Sequence, residues 1–510
     1  MAKSKTQKAV LNTTTAAISE VVTLICGLLL PQLILSHFGS AYNGITISAK
    51  QFLSAISILN VGVAGAIRVG LYKTIAREDN GATSSIIRAA ENHMHKVGMV
   101  LAVYILLLAI VYPLAVNTGY GFFDVSLLII AAGIETFGQY FFGITYGAFL
   151  TADQSVYIIN IFTIIATVLN TVVSVILIHI GCSIQIVKIV GAFVFFMQPL
   201  MQKVYVTRRY RIDKRAEADK SALAMRYDVM AHSIANIVHD NTDMIVLTVF
   251  TDVKIVSVYG IYNLVMGALK KTQNIFTAGT EAVFGNLWVK GEIEKIRLYL
   301  GYYEWFVTAF ASSVFSTTMV MILPFIALYT ADIHDANYML PTYAIVITIA
   351  QAWFCIRAPY QTLVQGAGQY KKTKTGAFIE AGINLMISVV LVQFIGILGV
   401  AVGTLVANIF RSLQYAFFID NHIVKRGKAE FLIKYLWSVM NVLMIVTTSN
   451  WVVSIVAVEN WFEWIVVAAG VAGFSLLLTV GSSYIFYRRE MNGFLKILRR
   501  ALGGRKRPAR

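Results

Sequence analysis

The sequence predicts an all-α polytopic membrane protein of about 14 transmembrane helices: two parallel six-helix lobes plus two extra C-terminal helices. Three observations predict it. Fourteen apolar stretches, each near the length of about 20 residues that a helix needs to cross hydrocarbon, follow one another through the 510 residues. Most of the 42 Lys and Arg fall in the two tails and in alternate gaps between stretches, and in the remaining gaps only Lys254 is clearly present. Finally, residues of the first half recur in order in the second half.

In chain order the first six stretches lie at 15–38, 44–70, 97–117, 122–150, 156–180 and 183–206. The first is too long for a secretory signal and lacks a convincing cleavage site. The long gap before the third carries His93 and His95, and 84–96 reads as a solvated interfacial helix. These six form an N-terminal lobe, 1–206, followed by a basic linker at 207–227. The next six, at 228–250, 255–287, 299–330, 339–365, 375–395 and 397–420, form a C-terminal lobe, 228–421. Stretches 432–457 and 461–487 are the extra pair, and 488–510 is a basic tail. Because Lys and Arg mark the cytoplasmic side, both termini and the linker are expected there, with 330–338 outside.

A shift of 217 residues sets Tyr42 on Tyr259, Gly62 on Gly279 and Lys73 on Lys290; a shift of 215 sets Ala152 on Ala367, Gln154 on Gln369 and Gly181 on Gly396. Both halves begin on the same side of the membrane, so the repeat is parallel and its pseudo-axis runs along the membrane normal. One class of secondary transporter is built this way and carries its chemistry near the bilayer midplane.

Composition removes several function classes. A chain that is 57% hydrophobic has too little polar surface for a soluble domain. The formal charge of +16 reads as the cytoplasmic side meeting anionic membrane lipids, and no nucleic-acid partner is expected. Three scattered Cys supply neither a disulfide framework nor a metal site. No GxxxxGK[ST] loop is present, and the external gaps are too short for the domain a membrane glycosyltransferase or polysaccharide polymerase needs. The chain is therefore expected not to be an enzyme and to need no dedicated cofactor.

Ionisable side chains deep in apolar stretches cost several kcal/mol and mark function by default. The cations are Lys50, Arg68, Lys270, Lys271, Arg357 and Arg411. Lys50 maps onto position 267, one helical turn from Lys270 and Lys271, so matching spans of the two halves bring cations to corresponding places. Such a set suits an anionic cargo, above all phosphate oxygens. The plainer alternatives are pairing with Glu20, Glu135 and Glu281 and, for Arg68, snorkelling to the interface. The oxygen-bearing residues are Asp240 and Asp243, one turn apart, Glu380 with Asn384, and Thr404 with Asn408. They suit Na⁺ or H⁺ coupling, or else helix-to-helix hydrogen bonding.

The stretch Gln51-Phe-Leu-Ser-Ala-Ile-Ser-Ile-Leu-Asn-Val-Gly-Val-Ala-Gly-Ala-Ile-Arg68, followed by Tyr72-Lys-Thr-Ile-Ala-Arg-Glu-Asp79, resembles the second span of polysaccharide (Wzx-like) flippases of the multidrug/oligosaccharidyl-lipid/polysaccharide exporter superfamily. The layout of six, six and two spans covers the whole chain. The resemblance implies a bacterial plasma-membrane protein with a two-lobe cavity that flips a polyprenyl-diphosphate oligosaccharide outward. It also implies other polysaccharide-assembly proteins as partners. Arg68, Lys270, Lys271 and Arg357 would then meet the diphosphate, and Asp240, Asp243, Glu380 and Thr404 a coupling cation. A multidrug antiporter of the same superfamily would need a more acidic or aromatic cavity. A major-facilitator carrier would need a shorter loop after its second span.

Overall fold

The computed structural model describes residues 5–60, 62–210, 212, 213, 215–219, 227–277, 279–427, 429–455 and 458–502. Residues 5, 59, 227–236, 239, 240, 274–276, 370, 429, 430, 452, 454, 455 and 500–502 among them are described by backbone alone. There is no strand among the described residues. Each of the fourteen expected stretches is occupied by a helix or by a helix and its continuation.

Eleven of the described helices are long and apolar enough to cross a membrane unaided. Three expected spans are accounted for differently. The second is merged with the first in α1 (Lys5–Ser54), which bends at Gly39, where φ is +83°. Glycine reaches that conformation without the clash a Cβ would bring. The helix restarts with Ser40, whose backbone N–H and hydroxyl donate to the Asp335 carboxylate at 2.8 and 2.5 Å. The seventh is α8 (Tyr227–Phe250). The tenth is broken at Arg357 into α12 (Pro341–Ile356) and α13 (Ala358–Gly366), with Pro359 in the first turn after the break. The expected interfacial helix at 84–96 is part of a single long helix, α3 (Asn80–Ala115), and Ile86, Ile87, Ala90 and Met94 on it are buried. It is thus a packed extension of the third span, not a solvated element.

The internal repeat is visible in the helix breaks. Gly62 caps the start of α2 (Val63–Ala76), and Gly279 caps the start of α10 (Thr280–Val289). Ala152 ends α5 (Ile144–Ala152), and Ala367 follows the end of α13. Gly181 and Gly396 hold positive φ in the turns after α6 (Val156–His179) and α14 (Tyr370–Ile395). In each half the short helix after the first break packs on the short helix after the second, α2 on α5 and α10 on α13.

The chain divides into two compact units, 1–260 with 332–336 and 261–331 with 337–510. Their boundary falls inside α9 (Val253–Thr277), so α8 and the start of α9 pack with the first unit. The first unit is built on Ile45, Leu53, Ile67, Leu101, Ile129 and Phe149. The second is built on Phe284, Leu300, Phe315, Leu363, Tyr415 and Phe431. Large apolar side chains such as Phe123, Leu477 and Ile485 point outward, as a lipid-facing surface requires.

Within the first unit, α1 and α9 approach at backbone distance. A Cβ on Gly44 would lie 1.8 Å from the Val253 carbonyl oxygen, and one on Gly260 would lie 2.4 Å from Ile47. Asn43 donates to the Ser257 hydroxyl at 2.8 Å beside them. Small residues allow such close helix contacts in membranes, and a backbone carbonyl cannot rotate away as a side chain can. Gly44→Ala is therefore expected to destabilise the protein by about 1–3 kcal/mol, the usual cost of overpacking. Thermal unfolding of the purified variant checks it; an unchanged midpoint would remove this packing account.

Candidate functional site

The first unit contains a polar cavity of about 460 Å³. Its walls come from places where helices deviate from regular geometry. The second segment of α1 presents Lys50 and Ser54 and then tightens into a 3₁₀ turn, Ala55–Asn60. Helix α4 (Phe122–Gly138) presents Glu135 and Thr136 and opens into a π turn, Gln139–Gly143, which presents Gln139 and Tyr140. Gln198 and Phe195 come from α7 (Ile184–Arg209), and Asn241 from α8. Irregular backbone at membrane depth is tolerated where it lines a cavity, and π turns recur at functional sites.

Lys50 Nζ lies 2.9 Å from Glu135 Oε2. Both side chains remain partly exposed to the cavity, 52% and 34%. Lys188 of α7 lies within electrostatic range of both but is not among the residues that line the cavity. Asn241 accepts from Gln51 Nε2 at 2.5 Å and from Ser54 Oγ, and its amide donates to the Ile237 carbonyl at 2.5 Å. Gln198 donates to Thr163 Oγ1 at 2.7 Å. These hydrogen bonds hold the walls in place, while the Lys50 ammonium keeps donors turned to the space. The cavity can therefore accept an anionic group on one side and hydroxyl-rich groups on the amides.

The second unit holds a different arrangement. Arg357 and Arg411 both reach Glu380, the latter with Nε at 3.3 Å. Arg411, on α15 (Ile397–His422), also donates to the Thr373 carbonyl at 3.0 Å, to Gln414 at 2.5 Å and to the Tyr415 hydroxyl at 2.7 Å. All three ionised groups are buried. Two cations expected at the cargo and one carboxylate expected at the coupling ion are thus one packed cluster. Lys270 stands over the Phe354 ring at 4.7 Å, and Arg357 covers the same ring at 4.2 Å. The backbone groups freed by the break at Arg357 are met in part by Gln273, whose amide donates to the Cys355 carbonyl at 3.2 Å.

The other expected residues are dispersed. Arg68 and Lys271 are exposed on α2 and α9. Asp243 is buried, and Tyr259 donates to it at 3.4 Å. Asp240 is described by backbone alone, so its side chain lies outside the described residues. Asn384 accepts from Thr404 at 3.4 Å and from Ser388 at 3.2 Å. The side-chain oxygens of Asn408 on α15 and Gln351 on α12 are buried with no hydrogen-bond partner. Among the described residues no three His, Cys, Asp or Glu are grouped to hold a metal ion.

Sequence reasoning missed two groups. Lys188 was visible as a cation just inside an apolar stretch, but nothing in the spacing tied it to Lys50 and Glu135. The second is a buried network in which Glu304 accepts from Arg426 Nη1 at 2.8 Å and from Lys434 at 2.5 Å, while Arg426 Nε donates to Asp420 at 2.6 Å. A lone acid inside an apolar window, Glu304, was its signal.

Compared with solved structures, the chain is similar over 94% of its length to the lipid II flippase MurJ in an inward closed conformation, covering 99% of that chain with 14% identity and a TM-score of 0.66. It is similar over 85% of its length to an inward-facing multidrug-resistance MATE family transporter of the MOP superfamily, covering 98% of that chain (13% identity, TM-score 0.59). Over 81% of its length it is similar to the Vibrio cholerae MATE transporter VcmN in the bent form, covering 97% of that chain (15% identity, TM-score 0.52). No protein-family model and no curated protein matches. The chain therefore has the fold of the MOP-superfamily transporters and is a multi-pass membrane protein.

Proposed function

We propose that this protein is a flippase. It moves an anionic lipid-linked oligosaccharide, a polyprenyl diphosphate sugar, across a bacterial plasma membrane by alternating access, and so supplies cell-surface polysaccharide assembly. The observation that carries the reading is the first-unit cavity, where the partly exposed Lys50 ammonium, paired with Glu135, stands among amides and hydroxyls. The ammonium suits phosphate and the amides suit sugar hydroxyls. The similarity to a lipid II flippase along nearly all of both chains supports the same reading. Both termini are proposed to be cytoplasmic on the distribution of Lys and Arg.

Reconstitution tests the proposal. Proteoliposomes loaded with defined polyprenyl-diphosphate oligosaccharides should translocate them, whereas cationic drugs should not move. Drug movement without lipid-linked sugar movement would replace the flippase reading by the exporter one. Reagent labelling of single cysteines in 330–338 from outside reads the orientation in the same vesicles.

Coupling to Na⁺ or H⁺ is proposed at Asp243, with Asp240 one turn before it on α8, and at the neutral oxygens of Asn384, Thr404 and Asn408. Glu380 already carries two guanidinium groups, which leaves less room for a cation there. An ion shifts a two-state equilibrium only by its differential affinity for the two states. Asp243→Asn is expected to keep cargo binding and lose gradient dependence of flux, both measured on one preparation. Unchanged gradient dependence would reduce Asp243 to a hydrogen-bond partner of Tyr259.

A further inference from the structure

A groove of about 520 Å³ runs along the outer face of the first unit between α6 and α7. Phe162, Met197, Met201 and Val204 line it, and Arg208 and Arg209 close it at the last turn of α7. Met197 and Val204 are exposed. Among the described residues neither arginine has an ion pair. Asp153, the carboxylate that acts on Tyr205 of the groove wall, is already engaged: Lys8 donates to it at 2.8 Å, Tyr210 at 2.5 Å and Ser155 at 2.6 Å. Among the described residues no acid lines the groove, and the formal charges on its lining are the two guanidinium groups.

We propose that this groove is a binding site for an anionic glycerophospholipid of the Lys- and Arg-rich leaflet, with an acyl chain on the methionine-lined wall and the phosphate on Arg208 and Arg209. The shape and the charge act on different parts of one molecule. Unbranched methionine side chains adapt to a flexible chain. A guanidinium fork binds phosphate oxygens in pairs, and basic pockets between helices on the basic side of a membrane recognise anionic headgroups. A neutral lipid fills the same groove without satisfying the arginines, so headgroup charge decides selectivity. The inference rests on the membrane-embedded fold and not on the cargo: the groove and the cavity share no lining residue.

Native mass spectrometry of the full chain, with photoreactive phosphatidylglycerol cross-linked and mapped by peptide, tests it. Cross-links are expected on α6 and α7. Arg208→Gln with Arg209→Gln is expected to weaken phosphatidylglycerol binding at that site by about thirtyfold, two surface cations being lost. Met201→Trp, which fills the groove and keeps both arginines, should also abolish the cross-link while leaving thermal stability unchanged. Equal occupancy by phosphatidylcholine, or undiminished phosphatidylglycerol cross-linking in the double variant, would overturn the proposal. So would displacement of phosphatidylglycerol by equimolar undecaprenyl phosphate, which would assign the groove to a lipid-linked cargo instead.

Discussion

Lys50→Ala is expected to reduce translocation of a polyprenyl-diphosphate oligosaccharide by roughly tenfold or more while leaving the unfolding midpoint nearly unchanged. The two halves of that expectation come from one geometry. The Lys50–Glu135 pair is 2.9 Å long but only partly buried, 52% and 34% exposed on its two side chains. An exposed pair of this kind contributes about 0–1 kcal/mol to stability. A hydrogen bond from an ammonium to a diphosphate oxygen is worth about 1.5–3 kcal/mol, or tenfold and more in affinity. Exchanging the charges separates pairing from binding. Lys50→Glu alone puts two carboxylates together and should abolish transport. Adding Glu135→Lys restores the pair and the fold, but it moves the ammonium to α4. If Lys50 serves only to neutralise Glu135, the double variant should recover full transport. If it meets cargo, transport stays low although the protein is as stable as the wild type. Wild-type flux in Lys50→Ala would remove this cavity from the mechanism.

The positions of the helices were legible because bilayer thickness and Lys and Arg placement leave few solutions. The repeat was legible as well, and its matched residues Gly62 and Gly279 cap equivalent helices. The breaks were not. Arg357 lies inside a continuous apolar stretch; Pro359 leaves the Cys355 carbonyl without its helical donor, and Gln273, about 80 residues earlier, takes it up. The identity of charged partners was legible only in part. Lys50 with Glu135 could be named as one pairing among several, since spacing supplies candidates but not contacts. Arg357, Arg411 and Glu380 were sorted by charge into different roles, yet their side chains meet. Their spans are separate in sequence, and the packing of α15 against both α14 and α12 brings them together. Lys188 and Glu304 show the opposite limit. Each is a single charge in an apolar window, and a single charge gives no indication of its partner.

Glu380→Ala is expected to destabilise the second unit strongly. Glu380 is buried and is the shared anion of two buried guanidinium groups. Its removal leaves two cations in a low-dielectric interior with hydrogen bonds but no counter-charge. Breaking a buried pair by removing one partner costs about 3–5 kcal/mol, because the remaining charge must be desolvated without compensation. Arg411 keeps its bonds to Thr373, Gln414 and Tyr415, so the larger part of the penalty should fall on Arg357, whose Nε is already without a partner. Arg357→Met in the Glu380→Ala background should therefore recover much of the lost stability, since removing a charge together with its counter-charge is often neutral. Thermal unfolding of the purified variants reads both effects. If the cluster is purely structural, the recovered double variant should transport with its gradient dependence intact. Restored stability with lost Na⁺ or H⁺ dependence would instead place the coupling ion at Glu380 and require the two arginines to release it during the cycle. A midpoint unchanged in Glu380→Ala would mean that water reaches the cluster, and both readings of it would fail.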